Sequence, residues 1–435
     1  MSLVVRFVAT GTGANAYVTL ERAPTAVAGD DLGKQLRLPA AVDGDATERG
    51  TALMNLLRRH KAVRTALESA LARQVTDPPQ PLYVRVTAKT AADALPWEQL
   101  YSPNHGFCAL DRRWPVGRIV GRHHDVTDRG FTPPLKIVAV LSAAGRSGVA
   151  QLDGILAALS TPHAHTLGVA LHVISGEQAV LTRARTCGIA QVSAEEMQND
   201  PELVAQQITR ARPHIVHLLG HGGVVDRVRM LALATTADFA AGEETGLVRL
   251  TTALIVQALA PCDPWLVVLA ACDTADAAEG PGLAQDVVEA GVPAVIGMRR
   301  LVDLTDTDRF CAALYPEVLR TIAAALASHQ GASARSIVDW ASALTAPRVA
   351  LSVPDPVQQD TWSDPVLYVQ TEPLRVYWDA GDKLSPADFA QMKGELDTWR
   401  ARRATFDDAT TDPLVLKDFD DHIADLAQRL RASLT

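Results

Sequence analysis

The chain reads as an α/β protein on a doubly wound, mostly parallel sheet flanked by helices. Three observations predict this. Short unbroken apolar runs recur, such as residues 135–141 (LKIVAVL), 215–219 and 265–270, as strands buried on both faces do. Segments of helical period separate them, the alternation that parallel βαβ crossovers require. Two runs also stop at a reactive side chain: IVHLLGHG reaches His221 and WLVVLAACD reaches Cys272. Functional groups in such sheets gather beyond the carboxyl ends of strands, so two neighbouring strands ending at one edge would bring imidazole and thiol together. That is a general base and a nucleophile.

Composition narrows the function classes. The 435 residues carry a formal net charge of −9, with 48% hydrophobic and 21% charged residues. A chain of this length can bury a sizeable core in two or three domains, and disorder is not the default. The acidic balance argues against a direct nucleic-acid binder. No stretch approaches a membrane span and the N-terminus lacks a basic, apolar leader, so a cytoplasmic protein is expected. Five scattered cysteines without a CxxC pair argue against a disulfide framework or zinc knuckle. No cofactor and no metal are expected: of His214, His217 and His221, the first two differ by an odd number and face opposite sides of a strand.

In chain order, residues 3–9 and 17–20 predict two strands joined by a turn at Gly11 and Gly13. Leu53, Leu56, Leu57, Val63, Leu67 and Leu71 share one face of a single amphipathic helix over 47–75. Pro78, Pro79 and Pro81 end it, and residues 82–87 alternate as a half-buried strand. Residues 95–120 predict a short helix and a hairpin or strand, with Trp97 and Trp114 in the core. The core then alternates strands at 135–141, 169–174 and 214–222 with helices at 151–159 and 201–211. An extra strand at 229–235, an acidic loop at 238–245 and a helix at 251–259 follow. After Cys272 come a small, acidic loop, a helix at 282–290, a strand at 293–298, helices at 306–328 and 332–344, and a closing strand at 366–369. Beyond Leu374 two charged helices carry apolar stripes, Phe389, Met392, Leu396 and Trp399 on one and Phe419, Ile423, Leu426 and Leu430 on the other. These stripes either pack within the protein or dock a partner.

Several ordered blocks resemble the CHAT proteins, caspase-like cysteine peptidases of the clan that includes separase. His217, Leu218, Gly220, His221 and Gly222 resemble the family's His-x-x-x-His-Gly strand end. Residues 268–274 resemble its Val-Leu-Ser-Ala-Cys-Glu-Thr block, with Ala270 for Ser and Asp273 for Glu. Leu95, Pro96, Trp97 and Glu98, then Gly106, Phe107, Ala109 and Leu110, resemble the segment that precedes the peptidase core. Gly282 to Ala284, residues 290–296, Val302 with Asp303, and Trp362 with residues 365–368 continue the match. The separation of 51 positions from His221 to Cys272 agrees with the caspase order. Ala275 stands where Gly is common, and the caspase Gln-Ala-Cys-x-Gly pattern is absent, so aspartate specificity is not implied.

The resemblance implies a caspase-like peptidase core over 131–375; residues 1–130 are expected to form an N-terminal α+β region, pseudo-caspase-like or supporting, and the change to charged, amphipathic segments predicts a C-terminal helical extension over 376–435. The resemblance also implies a Cys-His dyad: Cys272 as nucleophile, His221 as general base and acid, and the backbone N–H groups of Gly222 and Cys272 for the oxyanion. Asp273 or the carbonyl of a neighbouring residue would orient His221. Acidic residues Asp273, Asp276, Glu279, Asp303, Asp306 and Asp308 crowd the expected rim; Asp273 and Asp303 are the candidate substrate contacts, favouring Arg or Lys at P1. The expected partners are a protein substrate and an activating protein, in a bacterial antiviral defence or signalling system. A catalytically silent scaffold is the alternative, in which C272A retains function. A small-molecule hydrolase ranks third, because no Gly-x-Cys-x-Gly elbow surrounds Cys272.

Overall fold

The structure, a computed structural model, describes residues 3–10, 15–23, 33–38, 44–87, 90–120, 128–225, 228–271, 274, 282–300, 303–327, 335–379, 386–406 and 413–432. Cys272, Asp273, Asp276, Glu279, Gly11 and Gly13 lie outside them. The chain divides into two compact units, one of residues 1–127, 134–322 and 339–373, the other of 128–133, 323–338 and 374–435.

The first unit is built on one twelve-stranded sheet. From one edge its strands run Val192–Glu196, Ala170–Ser175, Lys136–Leu141, Ile215–Leu219, Leu266–Ala270 and Ala294–Met298, all parallel. Pro365–Val369 follows antiparallel, and it pairs in parallel with Val116–Val120, then Leu82–Val86 and Leu3–Thr10. Asn15–Arg22 and Lys34–Arg37 complete the sheet as antiparallel strands. The fold is thus mixed α/β, with a large, mostly parallel sheet that runs without a break from the N-terminal strands into the core. The continuous apolar runs have the reason expected. Every residue of Ile215–Leu219, Leu266–Ala270 and Ala294–Met298 is buried, each Val, Leu or Ile contributing about 1.5–3 kcal/mol.

Crossover helices start at side-chain caps. Asp200 accepts from the N–H groups of Glu202 (2.8 Å) and Leu203 (3.1 Å) at the head of Pro201–Ala211, and Thr251 caps Thr252–Leu259. Sequence expectation and structure part in several places. The single helix over 47–75 is two, Ala46–Arg58 and Lys61–Leu71, because His60 is extended and its ring caps Val63 N–H. The acidic loop at 238–245 begins inside a helix, Thr236–Ala241, where Asp238 is buried in a capping box with Thr235. No long helix starts near 332: the described residues form a strand Ser336–Ile337 and two short helices, Trp340–Ala343 and Thr345–Leu351. Thr305–Ala327 is long and apolar enough to cross a membrane by length and composition, contrary to expectation, but 61% of its apolar 18-residue window is buried inside the protein as in a core helix.

The Leu95–Leu110 region acquires a physical role. Trp97 donates its indole N–H to Ala92 O (2.6 Å), and Glu98 receives Arg118 through two bonds of 3.0 and 2.7 Å. Arg118 and Glu98 are both fully buried. The guanidinium also reaches Leu95 O (2.9 Å) and the Asp93 carboxylate (3.2 Å). Burial alone would raise the Glu98 carboxyl, yet Arg118 more than offsets it and holds Glu98 below the ordinary range. Buried Arg348 donates to Val116 O and Pro365 O, both at 2.9 Å, and so spans the strands where the N-terminal and core halves of the sheet meet.

In the second unit, Ser336–Ile337, Arg375–Trp378 and Asp128–Phe131 form a small sheet, with Asp128 holding Arg375 at 2.9 Å. Helices Pro386–Arg403 and Pro413–Ala432 pack on each other through part of their stripes: Met392, Leu396 and Leu426 form the centre, and Trp399 packs on Phe419 (4.9 Å) and His422 (4.5 Å), while the side chains of Phe389 and Leu430 lie outside the described ones.

Candidate active site

The site is assembled at the carboxyl ends of three adjacent parallel strands. Ile215–Leu219 and Leu266–Ala270 pair residue for residue, Ile215 opposite Leu266 and Leu219 opposite Ala270. Two residues on along the sequence from these last pairs stand His221 and Cys272. The expectation that His221 ends the strand is corrected. The parallel strand stops at Leu219, and His221 opens a second strand, His221–Val225, in a separate sheet with Val228–Leu233 and Val248–Thr251. Gly220 makes the passage possible. A Cβ there would lie 2.7 Å from Ala232 O and 2.8 Å from Leu233 Cδ2, closer than packed atoms tolerate.

The His221 ring is half-buried, and its Nε2 lies 2.7 Å from Ala144 O. A carbonyl only accepts, so Nε2 carries the hydrogen and Nδ1 is the nitrogen left to take a proton. Ala144 occupies a tight turn after the first core strand. Arg146 N–H donates to Ala143 O (3.1 Å), and Gly145 takes φ 66°, the left-handed conformation that glycine adopts without strain. A network of hydroxyls and backbone groups fixes the base of this turn: Ser142 N–H donates to Leu219 O (3.1 Å), Ser142 Oγ accepts from Gly176 N–H (2.8 Å), and Ser175 Oγ donates to Leu141 O.

The chain on either side of residues 272–273 is held just as firmly. Ala271 and Thr274 are 4% and 2% exposed. Thr274 Oγ1 donates to Ala271 O (3.0 Å) and accepts from Met298 N–H (2.9 Å), while its carbonyl accepts from Ala284 N–H (2.9 Å). Thr274 thereby ties the chain after Cys272 to the end of the next strand through its side chain and to the following helix through its carbonyl.

The remaining candidates fall as follows. Gly222 pairs with Leu231 next to the imidazole. Asp303 is exposed and heads the helix Leu304–Ala327, its Oδ1 accepting from Thr305 N–H at 2.8 Å. Asp306 is buried and Asp308 half-buried, so these two do not stand on an acidic rim. Burial raises the Asp308 carboxyl, and Asp303 adds to the shift. His214 and His217 serve the core. His214 Nδ1 accepts from Lys136 N–H (2.9 Å) and its ring packs on Trp265, while His217 Nε2 meets Gln151 Oε1 at 2.8 Å. Burial lowers His217 to about 3, and burial with Lys136 lowers His214 to about 4, so both are neutral. Cys108 is pushed up to about 12 by burial, and burial likewise raises Cys262 and Cys311. None of these three thiols is an activated nucleophile. Among the described residues no group of three or more His, Cys, Asp or Glu side chains could hold a metal.

Two residues of the site were not anticipated. Ala144 acts through a backbone carbonyl, which leaves no mark in sequence. Thr274 did carry a signal, as the last residue of the block that contains the cysteine.

The family model of the CHAT domain matches residues 47–349, more than two thirds of the chain. Among solved structures, the Saccharomyces cerevisiae separase–securin complex at 2.6 Å resolution is similar over 73% of this chain and 17% of that one, at 12% identity and a TM-score of 0.36. The same complex at 3.0 Å resolution gives 72%, 17%, 13% and 0.35. The chain thus spans about a sixth of the separase chains it matches. No curated protein matches it by sequence. With the family's pattern running from the N-terminal helices through every strand of the parallel core, the chain belongs to the CHAT-domain family, a caspase-like family that includes cysteine peptidases.

Proposed function

We propose that the protein is a cysteine endopeptidase that cleaves a specific protein substrate with Cys272 and His221. The observation that carries this is the register of the two parallel strands, which leaves positions 221 and 272 the same two residues beyond Leu219 and Ala270. The Ala144 contact supports it by presenting Nδ1 of His221 as the base. In the reaction Nδ1 takes the thiol proton, the thiolate attacks the peptide carbonyl, and the oxyanion draws on the N–H groups of Gly222 and Cys272. The imidazolium, steadied by the Ala144 carbonyl, returns the proton to the leaving amine. Water then adds to the thioester as Nδ1 removes its proton, and collapse of the intermediate breaks the C–S bond, releasing the carboxyl product as the imidazolium returns the proton to the Cys272 sulfur. Asp273 and Asp303 are the contacts proposed for an Arg or Lys at P1. We place the enzyme in the bacterial cytoplasm, switched on by a protein partner in a defence or signalling system. Incubating wild type, Cys272→Ala and His221→Ala with proteins encoded beside it, and reading fragment masses, tests this. Fragments should require Cys272, and His221→Ala should slow their formation by about 10²–10⁴-fold. Identical fragments from Cys272→Ala would overturn the assignment.

A further inference from the structure

We infer that the strand His221–Val225 docks an extended segment of the substrate along its free edge. Val225 and Val228 then select a branched apolar residue about four positions from the scissile bond. This rests on the peptidase reading and adds a subsite to it. His221–Val225 is the outer strand of its three-stranded sheet and has no other strand paired to it among the described residues. One sheet face carries Leu231, Leu233, Val248 and Leu250, all essentially buried in the core. By the two-residue period the opposite face carries His221, Gly223 and Val225, with Val228 directly across from Val225. Val224 (44% exposed) lies on the face of Leu231 at the outer end of the strand, and Met230, across from Gly223, is buried. Val225 is 39% and Val228 45% exposed, so an apolar pair faces solvent on the side of the sheet that bears the imidazole.

Between them Gly223 adds no bulk, and a Cβ there would meet nothing within 4 Å. The result is a smooth track of ~13 Å from His221 to Val225, the rise of four extended residues. Its occupant is an extended peptide and not a second copy of the chain. A five-residue edge falls far short of a stable dimer interface, whereas backbone pairing along such an edge is how strand-adding sites hold peptides. The strand begins with the imidazole itself, so a segment paired along it leads directly to the reacting bond.

The test is cleavage of a random peptide library long enough to span both sides of the bond, with the co-encoded proteins present. Wild type, Val225→Asp with Val228→Asp, and Val225→Lys with Val228→Lys are compared, Cys272→Ala serving as blank. Wild type should enrich Val, Ile or Leu at one position roughly three to five residues from the cut. The aspartate pair should lose that enrichment by about tenfold, and the lysine pair should replace it with Asp or Glu. An unchanged preference beside the cut shows that the variants fold. Cys272-dependent cleavage with no distal preference, or with the same one in all three proteins, overturns the docking edge and leaves the peptidase standing. Absence of any Cys272-dependent cleavage overturns both.

Discussion

Thr274→Val removes a hydroxyl and keeps the shape of the side chain. Its Oγ1 satisfies Met298 N–H and donates to Ala271 O, and Met298 is only 1% exposed. An orphaned buried N–H costs about 1–3 kcal/mol, and the abandoned carbonyl adds about 1 kcal/mol, so the variant should lose ~2–4 kcal/mol. Because both bonds flank the cysteine, that cost falls on the loop. If only ~1.4 kcal/mol of it appears as a displaced loop, the competent arrangement becomes tenfold rarer. Urea unfolding read by tryptophan fluorescence gives the stability, and the rate at which a lysyl acyloxymethyl ketone labels Cys272 gives the loop. Thr274→Val should be labelled tenfold or more slowly, in proportion to its stability loss. Thr274→Ser, which keeps the hydroxyl, should label within a few-fold of wild type. A valine variant as stable and as quickly labelled as wild type refutes the clamp.

Glu98→Gln leaves the Arg118 guanidinium buried with a much weaker counter-charge and should cost about 3–5 kcal/mol by chemical unfolding; adding Arg118→Met should recover part of it. Gly220→Ala should cost ~1–3 kcal/mol and slow Cys272 labelling, since its Cβ would strike Ala232 O and shift the His221 strand. Acid should destabilise the protein well above the carboxylate range. The folded values of His217 and His214, about 3 and about 4, lie below their unfolded value of 6.5. The unfolded chain therefore binds more protons in this window, and stability is complete above 6.5 and lost as pH falls. Two such protons give a slope of up to ~2.7 kcal/mol per pH unit between about 6 and 4, and His217→Gln should roughly halve it. A urea midpoint that stays flat from neutrality to about pH 5 would contradict both assignments.

The parallel core was legible because burial on both faces forces uninterrupted apolar runs, as in LVVLA and AVIGM. Where a strand keeps one face in water the pattern weakens. VSAEE at Val192–Glu196 is an edge strand with no fully buried residue, and its polar composition hid it. LYVRV reads as alternating, yet Arg85 is buried, its charge met by Glu21 at 2.6 Å. Of the candidate site, His221 is visible in the sequence as a side chain, while the backbone that places it is not. His221 announces itself at the end of an apolar run, but the turn at Gly220 that moves it into a second sheet depends on contacts with Ala232 and Leu233, which local pattern does not encode. The same holds for Ala144, 77 residues away in sequence from the ring it orients. The two C-terminal stripes were read correctly as apolar faces; their partner, each other, follows from the antiparallel pairing of two amphipathic helices.

The bond between Arg348 and Val116 joins residues 232 apart, which sets a timetable for biosynthesis. At roughly 5–20 residues per second, the strand Val116–Val120 leaves the ribosome some 10–50 s before Pro365–Val369 exists to pair with it. The N-terminal half-sheet must wait through that interval with an apolar margin uncovered, and the core strands made meanwhile face the same delay from the other side. Nascent chains stalled shortly before residue 365 should therefore be the species most dependent on chaperones.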